Sequence, residues 1–183
     1  PGRVPVLAEQ ASRDDRPILF LPHLEGERAP LWDTSIRGAF IGLDSRAKGP
    51  DFALAVLEGV ALAARHAMEA LVQAAGFTPD YLLYGGGGAR SDLWSQIRAD
   101  CLGIPLHRFS FHDVGCLGAA ILAAVGVGAF KSIEEAVPAM TRVERVFEPD
   151  AAKRPRYEAM FEAYRRAIDV LRPIGVIDTG KNK

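Results

Sequence analysis

The 183-residue chain contains only two cysteines, Cys101 and Cys116, with no C-x-x-C spacing between them. That scarcity excludes a disulfide scaffold and a thiolate zinc site, and leaves two isolated thiols expected on apolar, packing faces. His23, His66, His107 and His112 do not fall at metal-ligand spacing, and His66, inside a helical pattern, reads as a partly buried packing residue. Long uncharged apolar runs are missing as well, so no membrane-spanning helix is expected. The N-terminal PGRVPVLAEQ lacks the charged-then-apolar layout of a secretion signal, which makes the cytoplasm the expected compartment. Excess charge is absent too: 22 Lys and Arg stand against 23 Asp and Glu, and no basic cluster is interleaved with aromatics. Nucleic acid is therefore not an expected partner.

Two glycine motifs are also missing. The G-x-G-x-x-G pattern fails because Arg90 or Ser91 stands where its third glycine belongs, which argues against a dinucleotide fold. Gly175 to Asn182, GVIDTGKN, falls one residue short of a P-loop, with Asn182 in place of the Mg²⁺-binding hydroxyl and no helix to follow. It reads as a coincidence of the tail. Neither internal repeats nor low-complexity linkers interrupt the chain.

What is present is an ordinary globular composition, 49% hydrophobic and 25% charged, in a chain long enough to bury a core as one domain. Short apolar runs bounded by Pro and Gly, at Pro17–Leu24 and Gly38–Leu43, predict strands. A long helix is predicted from Asp51, placed as its N-cap, to Ala75, since Phe52, Val56, Val60, Ala63 and Ala67 recur at helical spacing and Gly76 follows. Further on, Tyr81–Tyr84 is a predicted strand, Asp92–Leu102 a helix and Leu106–Phe109 a strand. Gly115–Val127 is a small-residue helix expected to pack closely, Arg142–Phe147 a last strand and Arg154–Leu171 an amphipathic helix. Strands alternating with helices predict an α/β fold with a largely parallel sheet.

The most informative segment is Tyr81–Trp94, YLLYGGGGARSDLW, in which four consecutive glycines lead from an apolar run into a helix. Such a turn admits positive φ and lets backbone N–H groups approach an anion at a helix N-terminus. Tight strand-to-helix packing would use the same glycines, so both readings stand at this point.

Gly38–Glu58, GAFIGLDSRAKGPDFALAVLE, resembles the second signature of the FGGY carbohydrate kinases. Upstream, Gly26-Glu27-Arg28-Ala29-Pro30, Trp32-Asp33 and Arg37-Gly38 are similar to the GERxPxxDxxxRG segment of xylulokinase-like members. Downstream, GGGGARSDLWSQIRADCLGIPL resembles the family's adenosine-binding turn and helix, Asp113–Ala124 its small-residue helix, and the helix carrying Tyr157 and Tyr164 its closing helix.

The resemblance implies an ATPase domain of the actin, Hsp70 and hexokinase kind (ribonuclease H-like), with a mixed sheet flanked by helices. Residues 17–172 would form the C-terminal, ATP-side domain, 1–16 a lead-in and 173–183 a tail. It implies ATP and Mg²⁺ as cofactors, a sugar or polyol as acceptor, and a missing N-terminal domain of the same enzyme as partner. A homo-oligomer is also expected. On the nucleotide side it places Gly86 and Gly87 at the glycine pair beside the adenosine and α-phosphate. Ser91 falls where some relatives carry an adenine-bonding asparagine, while Arg90 either flanks the ribose and phosphates or lies in solvent. The catalytic aspartate and most of the sugar pocket lie upstream in the family, so no catalytic residue is assigned and the chain alone is expected to be inactive. Glu25, Glu27, Asp33 and Asp44 are expected in solvated or capping roles, and Arg28 and Arg37 as braces of the GERxP loop through carboxylates. A stand-alone nucleotide-binding module without transferase activity, or an interaction domain with a purely geometric glycine turn, are the alternatives.

Overall fold

The structure, a computed structural model, describes residues 2–12 and 16–174; the GVIDTGKN tail lies outside the described residues. In chain order the elements are α1 (Arg3–Ala8), β1 (Leu19–Leu21), β2 (Ala39–Ile41), α2 (Gly49–Ala75), β3 (Leu82–Tyr84), α3 (Asp92–Leu102), β4 (Leu106–Phe109), α4 (Val114–Gly126), α5 (Ile133–Met140), β5 (Val143–Phe147) and α6 (Arg154–Leu171). The pairs β1–β2 and β4–β5 are antiparallel, and only β3–β4 is parallel, with Leu82 opposite Leu106. Among the described residues β1–β2 is thus a separate antiparallel pair, and the three-stranded sheet β3–β4–β5 is mixed rather than largely parallel. Only the β3–α3–β4 segment sends a single helix between neighbouring strands, whereas two helices intervene before β5 and the chain returns in the opposite direction.

Helix α2 organises the packing. Asp51 sits in its first turn rather than at its N-cap, which is Lys48. The Asp51 carboxylate accepts from the Lys48 N–H at 2.8 Å, satisfying an amide that the helix itself leaves open. At Gly59 a Cβ would run into the Phe20 carbonyl, so the glycine lets α2 lie directly on β1. Glu58, buried beside it, receives Arg156 Nη1 at 2.5 Å and the Tyr157 hydroxyl at 3.3 Å, tying α2 to α6. Leu57, Ala61, Leu62, Ile97, Phe161, Tyr164 and Ile168 close the main core among α2, α3 and α6. Gly76 ends α2 in the left-handed region, φ 75°, as its position after the last apolar repeat predicts.

Ile18, Leu19, Phe20 and Leu21 are all buried, so β1 is covered by this chain itself. The small-residue helix α4, expected to pack closely, does not: only Ile121 is buried along it, and Cys116, expected on a packing face, is exposed. Cys101 is buried as expected, and burial pushes its thiol up to about 12.

His23 and His66 form a polar seam in the core. The His23 ring meets the Tyr164 hydroxyl at 3.0 Å, and His66 packs edge-on against Phe161 and Tyr164. Burial lowers both imidazoles below the ordinary 6.5, only partly countered by the Glu27 carboxylate. The unfolded chain therefore takes up protons first as pH falls below about 6.5, and folding stability drops until the lowered folded values are passed. Asp33 and Asp92 contribute nothing in that window, because their depressed values move stability only below about 4. The urea midpoint is expected to fall between pH 7 and pH 5, and to fall less in His66→Leu; a midpoint flat over that range in the wild-type chain would contradict the assignment.

Candidate functional site

The four glycines between β3 and α3 are present for three different physical reasons. Gly85 is a packing residue, since a Cβ there would run into Val114 Cγ1 at the start of α4. Gly88 is another, because its Cβ would lie 2.9 Å from the Trp94 ring and 3.1 Å from the Tyr84 hydroxyl. Gly86 is conformational: φ 93° with ψ −176° is a region only glycine occupies readily. Gly87 has neither reason. A Cβ on it would meet no atom within 4 Å, and it is not among the positive-φ residues. Its missing side chain leaves room for something outside the protein fold, as a backbone approached by ligand requires.

After Gly86 the chain makes a single 3₁₀ turn, Gly87–Arg90, closed by Ala89 N–H to Gly86 carbonyl at 3.1 Å. Ser91 then caps α3. Its Oγ accepts from Trp94 N–H at 3.2 Å, and its carbonyl accepts from Ser95 Oγ at 2.8 Å. The Gly86 N–H reaches across to the His112 carbonyl at 3.0 Å, immediately before α4, whose own N-cap is Asp113. The N-terminal ends of α3 and α4 therefore both border the turn, and each presents the positive end of its dipole there. Arg90 is exposed, and its charge adds to the hydrogen bonds from Cys116 in holding the Asp113 carboxyl below its usual value. Gly86, Gly87, Arg90 and Ser91 thus lie together in the short turn that leads into α3.

Residues that sequence reasoning did not single out fix its shape. Arg108 of β4 is 7% exposed, and its Nη1 donates to the Ala89 carbonyl at 3.0 Å and to Asp92 Oδ1 at 2.6 Å. Arg145 of β5 bonds the other Asp92 oxygen, and both guanidinium groups lie over the Phe147 ring. These hydrogen bonds, Arg108 first, hold the Asp92 carboxyl below its ordinary range. Trp94 anchors the helix on α2 through its indole N–H to the Leu57 carbonyl at 3.2 Å. Arg108 alternates with Leu106 on the buried face of β4, and an arginine in an apolar strand register was the signal available in the sequence.

The candidate carboxylates have local structural roles. Glu27 Oε2 accepts from Leu31 N–H at 2.8 Å, and Asp44 accepts from Arg46 N–H at 2.9 Å. Asp33 accepts from Ser35 N–H at 2.8 Å and pairs with Arg172; the two Ser35 bonds lead in holding it at about 2. Glu25 is exposed. Against the expectation that Arg37 braces the GERxP loop through a carboxylate, its Nη1 donates to carbonyls of its own segment, Thr34 at 2.7 Å and Ile36 at 2.8 Å, outside residues 26–30. Arg28 is exposed. Among the described residues no group of three or more His, Cys, Asp or Glu side chains is placed to hold a metal. A cavity of about 370 Å³ opens at the other end of α3, lined by Arg65, Glu69, Cys101, Tyr157 and Glu158. Arg65 already pairs there with Glu69 and Glu158.

The three roles separate in stability measurements. Gly85→Ala overpacks the turn against Val114 and is expected to destabilise by about 1–3 kcal/mol, whereas Gly87→Ala is expected to stay within about 0.5 kcal/mol of wild type. Urea denaturation decides, and equal losses at the two positions would contradict the distinction.

Residues 3–127 match the model of the FGGY family of carbohydrate kinases, C-terminal domain. A xylulose kinase of Staphylococcus epidermidis is 37% identical over 158 residues, covering 86% of this chain and 32% of that protein. A glycerol kinase of Solidesulfovibrio magneticus is 36% identical over 155 residues, 85% of this chain and 31% of that protein. The crystal structure of a ligand-bound xylulose kinase from Lactobacillus acidophilus superposes with a TM-score of 0.80 at 28% identity, over 92% of this chain and 34% of that one. The chain spans about a third of the length of the curated relatives it matches. With family model, relatives and fold in agreement, the chain belongs to the FGGY family of carbohydrate kinases, as part of its C-terminal domain.

Proposed function

We propose that this chain is the nucleotide-binding part of an ATP-dependent carbohydrate kinase, in which the Gly85–Ser91 turn receives the adenosine and α-phosphate of ATP. The observation that carries the reading is Gly87: of the four glycines, it alone lacks both a packing neighbour and a positive φ. An empty Cβ position beside two helix N-termini suits an anionic ligand lying against backbone. Gly86 and Gly87 form the floor for the α-phosphate and Arg90, exposed at the rim, faces the ribose or phosphates. The Ser91 hydroxyl, already accepting from Trp94, retains a proton to donate to the base.

The acceptor is a sugar or polyol hydroxyl, in keeping with the xylulose and glycerol kinases among the relatives. Phosphoryl transfer needs a base and a metal besides a positioned nucleotide. Glu27, Asp33 and Asp44 are engaged in local hydrogen bonds, and no metal cluster exists among the described residues. Both requirements are assigned to the rest of the protein, with Mg²⁺ entering on the triphosphate. The exposed apolar residues Val114 and Leu122 of α4, at 41% and 61%, and Val127 just past its end, at 82%, offer surface for that upstream part. Without it the same face gives the chain a route to self-association into a homo-oligomer.

The test is a calorimetric titration of the chain with ATP, beside a coupled assay over ketoses, aldoses and polyols. Weak ATP binding with no sugar-dependent turnover is expected. Gly87→Val is expected to lose about tenfold or more in affinity, or about 1.4 kcal/mol, at an unchanged urea midpoint. Wild-type affinity in Gly87→Val would overturn the reading.

A further inference from the structure

The glycine turn does not hold itself open. Its 3₁₀ hydrogen bonds are few, and such turns have poorer geometry than α-helical ones. Gly86 occupies a region of φ and ψ open to glycine, which adopts many others as readily, so Gly86 by itself does not fix the turn. One side chain reaches both halves of the turn. Arg108 Nη1 donates to the Ala89 carbonyl inside the 3₁₀ segment and to Asp92 at the first residue of α3, so it bridges the turn to the helix that follows. Its Nε lies 3.4 Å from Glu144 Oε2 of β5, and its Cζ lies 5.2 Å from the Phe147 ring centre. The guanidinium thus meets β5 on one side and the turn on the other, and Ala89 is fully buried.

The same contacts settle an electrostatic conflict. Asp92 puts a negative charge in the first turn of α3, beside the place where an anionic ligand would sit. Left unpaired, it would repel that ligand at short range. Arg108 and Arg145 each take one of its oxygens and offset its charge. The dipole end of α3 then faces the ligand with its positive character intact.

We propose that Arg108 is a positioning residue for nucleotide binding: it touches no ligand, holds the Ala89 carbonyl and Asp92, and thereby keeps the Gly86–Gly87 backbone in the receptive shape. This rests on the nucleotide reading of the turn. Lysine replaces it only in part: an ammonium can donate to the Ala89 carbonyl and to Asp92 as Nη1 does, but it lacks the second nitrogen, Nε, that faces Glu144.

The experiment uses the isotope-labelled chain as wild type, Arg108→Lys and Arg108→Met. Amide hydrogen exchange is followed at Gly86–Ser91, with the amides of α2 as internal control, and ATP affinity is measured by titration. Arg108→Met is expected to speed exchange at the turn by about tenfold or more without altering α2, and to weaken ATP binding by about tenfold. Arg108→Lys is expected to fall between the two on both measures. Turn exchange at the wild-type rate in Arg108→Met overturns the proposal, and so does a loosened turn that binds ATP as tightly as wild type, which would leave Arg108 a merely structural brace. Absence of ATP binding by the wild-type chain would instead overturn the nucleotide reading, and this proposal with it.

Discussion

Two carboxylates, Asp92 and Asp100, clamp the two ends of α3, and the open glycine turn depends on that clamp. Asp100, buried, accepts from Gln96 Nε2 at 2.7 Å, from the Asp150 N–H at 2.9 Å and from Lys153 Nζ at 3.1 Å. A buried carboxylate is tolerated only when its lone pairs are met in this way. Asp92 does the corresponding work at the other end with Arg108 and Arg145. Trp94, Ile97 and Cys101 seat the helix on α2 and α6. A helix fixed along its whole length can be preceded by a turn that leaves space beside it. A frayed helix start would let the turn collapse into that space.

The division of labour among the glycines follows from this rigidity. Gly85 and Gly88 are small because α4 and the Trp94 ring press against them, and Gly86 is glycine because the chain must reverse with an extended positive-φ conformation. Of the four, Gly87 alone has neither a packing neighbour nor a positive φ to account for it, which is the observation that supports the proposed ligand site. The cavity of about 370 Å³ lies instead at the far end of α3, among charges that already pair with one another. The cavity and the glycine turn thus lie at opposite ends of α3.

Much of the fold was legible because its signals are local. The bounds of α3 and α6 and of β4 coincide with those read from periodicity and from Gly103 and Pro173. Helices α1 and α5 were not read, since one spans only six residues and contains Pro5 and the other carries Pro138. Interior proline normally argues against a helix. The antiparallel return of β5 was hidden because strand direction is set by how α4 and α5 pack, not by the strand sequence. At the site, the glycine run announced itself, but which glycine serves which purpose depends on Val114 and Trp94. The first lies far along the chain, and the second becomes a neighbour only once α3 is folded. Arg108 was present in the alternation of β4, yet its partners Ala89, Asp92 and Glu144 come from three different segments.

The central claim is that the clamped turn is where an adenine nucleotide lies. Its most direct test is the amide spectrum of the isotope-labelled chain titrated with ADP. Saturable shifts at Gly86, Gly87, Gly88, Ala89, Ser91 and Asp92, and at His112–Cys116 across the turn, are the predicted result. Shifts confined to the Arg65–Glu158 cavity or scattered over the surface, with the glycine amides unmoved at saturating nucleotide, would contradict it.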